Sequence, residues 1–315
     1  MAATEPILSP ADAALARARA YALMSRLVTR GAGRELLAEL GKIPSLAAML
    51  PARPDSASLA AEHHELFGLQ VFPYAGVYLD PRRLTGGAAA DAALATYRDG
   101  GFSPDLSSAS ADHLGAELGF LAHLSRATAE TGAAVSDLER AFLDQVLVWL
   151  PPFASAAAAH PRSLWTQLAE LVMELCADHR SELGGPPTPP PLPPAPDPLA
   201  DSETGVRRLV DFLVTPVHSG VLLSRAELGR VGRRQSLPRG FGSRELTLAN
   251  LLRNAGEYDC IPDVARDLRA AVTAHLDRYH SFAADPQLAP FVAPWIERAA
   301  STVRMLDEMD RAARQ

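Results

Sequence analysis

Lysine is nearly missing from this 315-residue chain: Lys42 stands alone among 30 basic residues, leaving 29 arginines. Against 37 acidic residues the net charge is -7, which opposes attraction to a phosphate backbone and excludes a general nucleic-acid binder. Cysteine is equally scarce. Cys176 and Cys260 lie far apart and form no C-x-x-C pair, so a disulfide framework and a cysteine-rich zinc or iron–sulfur site are excluded, and a reducing cytoplasm fits. No run supplies the ~20 uninterrupted apolar residues of a membrane span, and Met1 to Pro10 lacks the cationic and apolar pattern of an export signal. The expectation is a cytoplasmic protein without direct membrane insertion. A G-x-S-x-G elbow is missing, neither cysteine has the local signature of a thiol enzyme, and Gly240-Phe241-Gly242 has neither P-loop nor dinucleotide spacing. Alternating strand patterns closed by hairpin turns are hard to find.

What is present is helical periodicity. Leu114, Leu118 and Leu121 share a face, as do Leu138, Phe142, Val146 and Leu150, and then Leu164, Leu168, Leu171 and Leu175. Near the end Ile296, Ala300, Val303, Leu306 and Met309 form a stripe opposite Glu297, Arg298, Arg304, Asp307 and Arg311. The pattern predicts an all-α multi-helix bundle. One interruption dominates: after Gly184-Gly185, nine of the thirteen residues from Pro186 to Pro198 are proline, which no helix crosses. At roughly 3.1 Å per residue such a stretch spans about 40 Å as a semi-rigid spacer. It reads either as an exposed linker or as a docking motif for a proline-reading partner. It divides the chain into an N-terminal helical block over 1–183, a proline-rich linker over 184–203 and a C-terminal helical block over 204–315.

Candidate chemistry gathers at a few points. His63, His64 and Glu65 form one polar cluster; Asp112, His113 and Glu117 form another, with His113 and Glu117 four apart on one helical face. That spacing presents two metal ligands or an ordinary surface pair, and it lacks the H-E-x-x-H arrangement of a zincin. No metal is assigned. Phe67, Phe72, Tyr74 and Tyr78, in the company of Pro73 and Gly76, read as core or as a shaped groove wall. The stretch Arg225 to Arg253 is locally basic and opposed by Glu227 and Glu245; its Arg233, Arg234, Arg239 and Arg244 are either a solvated face or contacts for an acidic partner or a cofactor phosphate.

Three of these segments together resemble the TorD-like family of redox-enzyme maturation chaperones, of the TorD, DmsD and NarJ type. Glu65-Leu66-Phe67 followed by Phe72-Pro73-Tyr74-Ala75-Gly76-Val77-Tyr78-Leu79 is similar to the family's Leu-Phe box and Pro-Tyr-x-Ser-Val-Tyr segment, with Gly76 where the family often has serine. An acidic helical segment ends near Tyr97 and Gly101. Asp112-His113-Leu114 with Glu117-Leu118 and Phe120-Leu121 looks like the Asp-His-x-x-x-Glu-Leu-x-Phe signature, with Ala111 in place of a common proline.

The resemblance implies a non-catalytic, all-helical chaperone. Its partner is the apo catalytic subunit of a molybdoenzyme of the DMSO reductase type, held until the molybdenum cofactor is inserted and often recognised through a twin-arginine leader. It implies no tightly bound cofactor, only transient contact with the client's molybdenum cofactor, and a monomer or dimer. On this reading Phe67, Phe72, Pro73, Tyr74 and Tyr78 line an apolar wall, Asp112 and Glu117 attract the client's cationic end, and His113 orients the carboxylates or donates to the client backbone. Asp112 equally reads as a helix cap, worth about 1 kcal/mol. Two other classes remain open: a stable accessory subunit of a redox complex, and a His/Glu metal-dependent enzyme.

Overall fold

The computed structural model describes residues 9–131, 136–199, 205–238 and 242–314. Among them the ordered elements are helices, with a single antiparallel bridge between Tyr74 and His113. Capping fixes several starts. Ser9 accepts the Asp12 amide and Pro10 opens α1 (Pro10–Arg30). Short α2 (Arg34–Leu40) and α3 (Pro44–Ala47) lead to α4 (Ser56–His63), capped by Asp55. The chain then widens into a π-helical stretch, His64–Gln70, closed by the Val71 amide on the Leu66 carbonyl at 2.7 Å. Such wide turns are rare and often mark functional positions. Here the turn buries Leu66, Phe67 and Gln70 together.

Next come α5 (Ala75–Leu79), α6 (Gly87–Asp99), α7 (Leu114–Thr131), α8 (Ser136–Leu147), α9 (Leu150–Ala158) and α10 (Leu164–Glu182). After the proline-rich segment follow α11 (Val206–Leu213), α12 (Pro216–Ser219), α13 (Arg225–Arg234), α14 (Arg244–Glu257), α15 (Ile261–Ala283) and α16 (Ala289–Ala312). Helices α1 and α7 pair closely, as do α15 and α16. Between them lies α9, buried from Leu150 to Ala157 and touching α8 and α10 on one side and α15 and α16 on the other. One apolar core therefore runs from Tyr21 to Leu306. Directed bonds cross it: the Trp295 indole donates to the Val148 carbonyl at 2.7 Å, Tyr279 to Gly220 at 2.7 Å and Thr302 to Ser219 at 2.8 Å. Gly220 (φ 80°) is obligatory, since a Cβ there would stand 2.4 Å from the Ala299 amide.

Two expectations need adjustment. The buried stripe of α16 is Phe291, Val292, Trp295, Ala299, Thr302, Met305 and Leu306, about one residue off the Ile296, Ala300 and Val303 register. Trp295 and Thr302 win the inner face because each has a buried carbonyl to donate to. The proline-rich segment is no free spacer either. Arg180, in a buried bidentate pair with Asp144, donates to the Pro186 carbonyl at 2.8 Å; the Thr188 amide donates to Asp144 at 3.0 Å, and Arg298 to Pro193 at 2.6 Å. Pro198 is buried and Leu192 half-buried, while Pro190, Pro191 and Pro194 face water. The segment is a strap fastened to both halves.

Among the described residues no single helix is long and apolar enough to cross a membrane. The bent pair α8 and α9 is apolar enough jointly, and most of its apolar side chains are buried in the core.

Candidate functional site

The site is built on a clamp between two loops. The Ala75 amide donates to the Asp112 carbonyl and the Leu114 amide to Pro73, both at 2.9 Å, which makes the bridge between Tyr74 and His113. The Asp112 carboxylate then reaches across: it accepts the Gly76 amide at 3.1 Å and the Gly86 amide at 3.1 and 3.2 Å, and takes a short bond from Ser110. Asp112 thus caps a neighbouring loop and the first turn of α5 as well as preceding its own helix. Its burial is complete, at 0% exposure, and a buried carboxylate is tolerated only with such donors. Gly76 is required by this closeness, because a Cβ there would meet the Leu84 carbonyl at 2.2 Å and Asp112 at 2.9 Å. Behind the turn, Tyr97 donates to the Ala111 carbonyl at 2.8 Å.

His113 precedes α7 rather than lying in it. Its Nδ1 accepts the Gly115 amide at 3.0 Å, so the neutral ring carries its proton on Nε2. The ring stands edge-on to Tyr74, with centroids 4.7 Å apart. Burial, reinforced by His63, pushes its pKa down to about 4. Glu117 is buried as well, and burial followed by the charge of Asp112 raises its pKa well above the carboxylate range. Its Oε2 has no hydrogen-bond partner, and the Trp149 indole lies near enough to oppose the rise without closing a bond. Tyr78 stacks on Trp149 at 5.5 Å, its hydroxyl also unpartnered, and Phe67 stacks on Phe153 at 5.8 Å.

The structure thus gathers all eight expected client-binding residues around one clamp, but at different depths. Phe67, Pro73, Tyr78, Asp112, His113 and Glu117 are buried; Phe72 and Tyr74 are half-buried. The open surface beside them was not read from the sequence. It is an apolar groove of about 560 Å³ between Leu79, Pro81, Ala88 and Ala89, with Asp80 and Arg82 at its rim, and Leu84 nearby is 46% exposed. The signal was only the small-residue run Gly86–Ala90, which leaves the groove unfilled.

The arginines of the second half do not act together. Arg233 and Arg234 are exposed at the end of α13, where Arg234 pairs with Asp267 at 3.4 Å. Arg244 turns inward toward Tyr78 and donates to Leu223 at 3.5 Å; desolvation lowers its pKa to about 10. Arg239 lies outside the described residues. Arg83, not singled out by the sequence, joins the clamp to the second half by donating to Thr215 at 3.2 Å and Glu245 at 3.1 Å.

A second polar chain was missed. Ser155 on α9 meets His275 Nδ1 at 2.7 Å, and His275 Nε2 meets Glu227 at 3.1 Å. Glu227 also accepts the Ser224 amide at 2.9 Å, closing a capping box on α13. The Ser224-x-x-Glu227 spacing announced that box. All members are buried, so the chain fastens α9 to α13 and α15 and offers no nucleophile to a substrate. Among the described residues no three of His, Cys, Asp and Glu converge as metal ligands.

With this geometry in place, comparison with known proteins gives one finding: the family described as nitrate reductase delta subunit matches residues 34–155, a span that contains the whole clamp and the groove. No curated protein and no solved structure matches the chain.

Proposed function

With residues 34–155 matching the NarJ/TorD-like family of chaperones for molybdoenzyme maturation, we propose that this protein holds the immature catalytic subunit of a molybdopterin-dependent oxidoreductase while its cofactor is inserted. The family acts on molybdoenzyme catalytic subunits and is not itself catalytic. The observation that carries the reading for this chain is an open apolar groove directly beside the clamped Pro73–Leu79 segment. An amphipathic client helix would lay its apolar side there, against Leu79, Leu84 and Ala89, with Phe72 and Tyr74 at the edge. Phe67, Tyr78, Asp112, His113 and Glu117 would act from behind, as positioning residues. The client would be of the DMSO reductase type, with a leader as one candidate segment, met in the cytoplasm by a monomer or dimer.

Co-purification tests this. Mixed with the apo catalytic subunit of its molybdoenzyme, the full chain is expected to form a stoichiometric complex that disperses after cofactor loading. Leu84→Asp and Ala88→Asp, both exposed, are expected to weaken that complex at least about tenfold, the effect of a charge set into an apolar contact, with unchanged helix content. A complex that persists after loading would instead indicate a stable accessory subunit. No complex with any candidate would refute the proposal.

A further inference from the structure

One buried ion pair is given over to the strap. Arg180 and Asp144 face each other below the surface, and what they hold besides one another is the backbone that opens the proline-rich segment. Arg180 donates to the Gly184 carbonyl at 2.9 Å and to Pro186 at 2.8 Å, while Asp144 accepts the Thr188 amide at 3.0 Å. Burying two charges is costly, and here it fixes where the strap begins. Arg298 fixes its middle through the Pro193 carbonyl at 2.6 Å.

Between these anchors the chain has one backbone conformation open to it. Every residue from Pro186 to Pro196 is a proline or stands directly before one. Proline fixes its own φ and holds the preceding residue extended, so the segment is a polyproline II helix of about three residues per turn. Of its three edges one turns inward: Pro189 and Leu192 are half-buried and Pro198 is buried. The other two carry Pro187 and Pro190, and Pro191 and Pro194, all exposed. No charged residue interrupts the stretch from Pro186 to Pro196. Among the described residues the carbonyls from Pro187 to Leu192 accept no hydrogen bond.

Fastening requires only the inner edge and the anchors. The outward prolines follow a pattern of their own, Pro186-Pro187-Thr188-Pro189-Pro190 and then Pro190-Pro191-Leu192-Pro193-Pro194. In each, two X-Pro pairs are separated by one residue, which brings the second pair onto the same edges about 9 Å along the axis.

We propose that the outer edge of the strap is a docking ligand for a partner protein with an aromatic-lined, proline-reading groove. Such grooves recognise X-Pro pairs at this spacing in a preformed polyproline II helix, and their Tyr and Trp side chains carry donors for free carbonyls. The strap presents both, and its fastening removes the ordering cost that a free proline-rich tail would meet on binding. The surface shares no residue with the groove beside the clamp and does not depend on the client assignment.

Titration calorimetry of the full chain, with an isolated SH3 domain and an isolated WW domain as probes, tests this. Saturable one-to-one binding of at least one probe is expected. Pro191→Ala and Pro194→Ala, both on the outer edge, are each expected to weaken it about tenfold at an unchanged melting temperature. Pro189→Ala, on the inner edge, is expected to bind within about twofold of the unaltered chain. A synthetic peptide of residues 186–198 should bind the same probe several-fold more weakly than the chain, because it must first be ordered. Failure of both probes to bind saturably, outer-edge variants that bind like the unaltered chain, or a free peptide that binds as tightly as the chain would each overturn the assignment.

Discussion

Asp112 holds two loop amides and one hydroxyl with a carboxylate that water never reaches. In Asp112→Ala the Gly76 and Gly86 amides are left buried without acceptors, so a loss of about 2–4 kcal/mol is expected in urea unfolding; Asp112→Asn, which keeps one acceptor oxygen, should lose less. If Asp112 instead contacted client, the alanine variant would keep its stability and lose only binding. His113 gives a pH dependence. Its folded pKa of about 4 lies below the ordinary value of 6.5, so between those values the unfolded chain binds more protons than the folded one. Its contribution is complete above pH 6.5 and is lost as pH falls toward 4, by at most about 1.4 kcal/mol per pH unit. His179, held down to about 3 by burial and then Arg17, adds in the same direction. Urea midpoints at pH 7 and pH 5 check this, and His113→Gln should show the shallower slope. These residues were legible as a constellation, because their types and spacing repeat a family pattern. Their depth was not, since an Asp-His pair reads the same at a groove edge as beneath a loop.

The helices owe their existence to local pattern and their rotation to partners. For α7 the Leu114, Leu118 and Leu121 stripe is buried as the spacing predicts, and Glu117, Phe120, Leu124 and Ser125 widen the inner face around it. For α10 the buried centre lies at Val172, Met173 and Cys176, with Leu171 and Leu175 at its margin. There the leucines are outbid in position by Trp165, His179 and Arg180, which have fixed hydrogen-bond partners at Leu59, Tyr21 and Asp144. The fastening of α13 to α9 and α15 depends on Glu227. Burial alone would raise its pKa, but His275 and the Ser224 amide outweigh burial and bring it to about 2. Its share of stability is present above its ordinary value of 4.5 and lost as pH falls toward 2. Glu227→Ala is expected to cost about 2–4 kcal/mol, because it leaves the Ser224 amide and the His275 ring nitrogen buried without their acceptor. Thermal melting monitored by circular dichroism checks this, and a change under 1 kcal/mol would mean the network is incidental.

At the scale of the whole molecule, α9 makes the two halves one body. Val148, Ser155 and their neighbours receive Trp295 and His275 from the far side of the strap. A single calorimetric transition is therefore expected, and Trp295→Ala should lower it as one unit by about 3–5 kcal/mol measured at its midpoint. Two separate transitions, only one of them moved by that substitution, would show that the contacts across α9 contribute little.

Composition and periodicity by themselves determined that this chain is helical and that proline breaks it after residue 185; that the aromatic and Asp-His segments belong together was implied by the family resemblance. Those are properties of short range, set by turn geometry and by backbone that proline cannot continue. Only the tertiary structure decided which faces turn inward, that the strap is tied down, and that the open groove lies beside the expected residues and not among them. Burial and hydrogen bonding between residues a hundred positions apart fix these outcomes, and no local spacing encodes them.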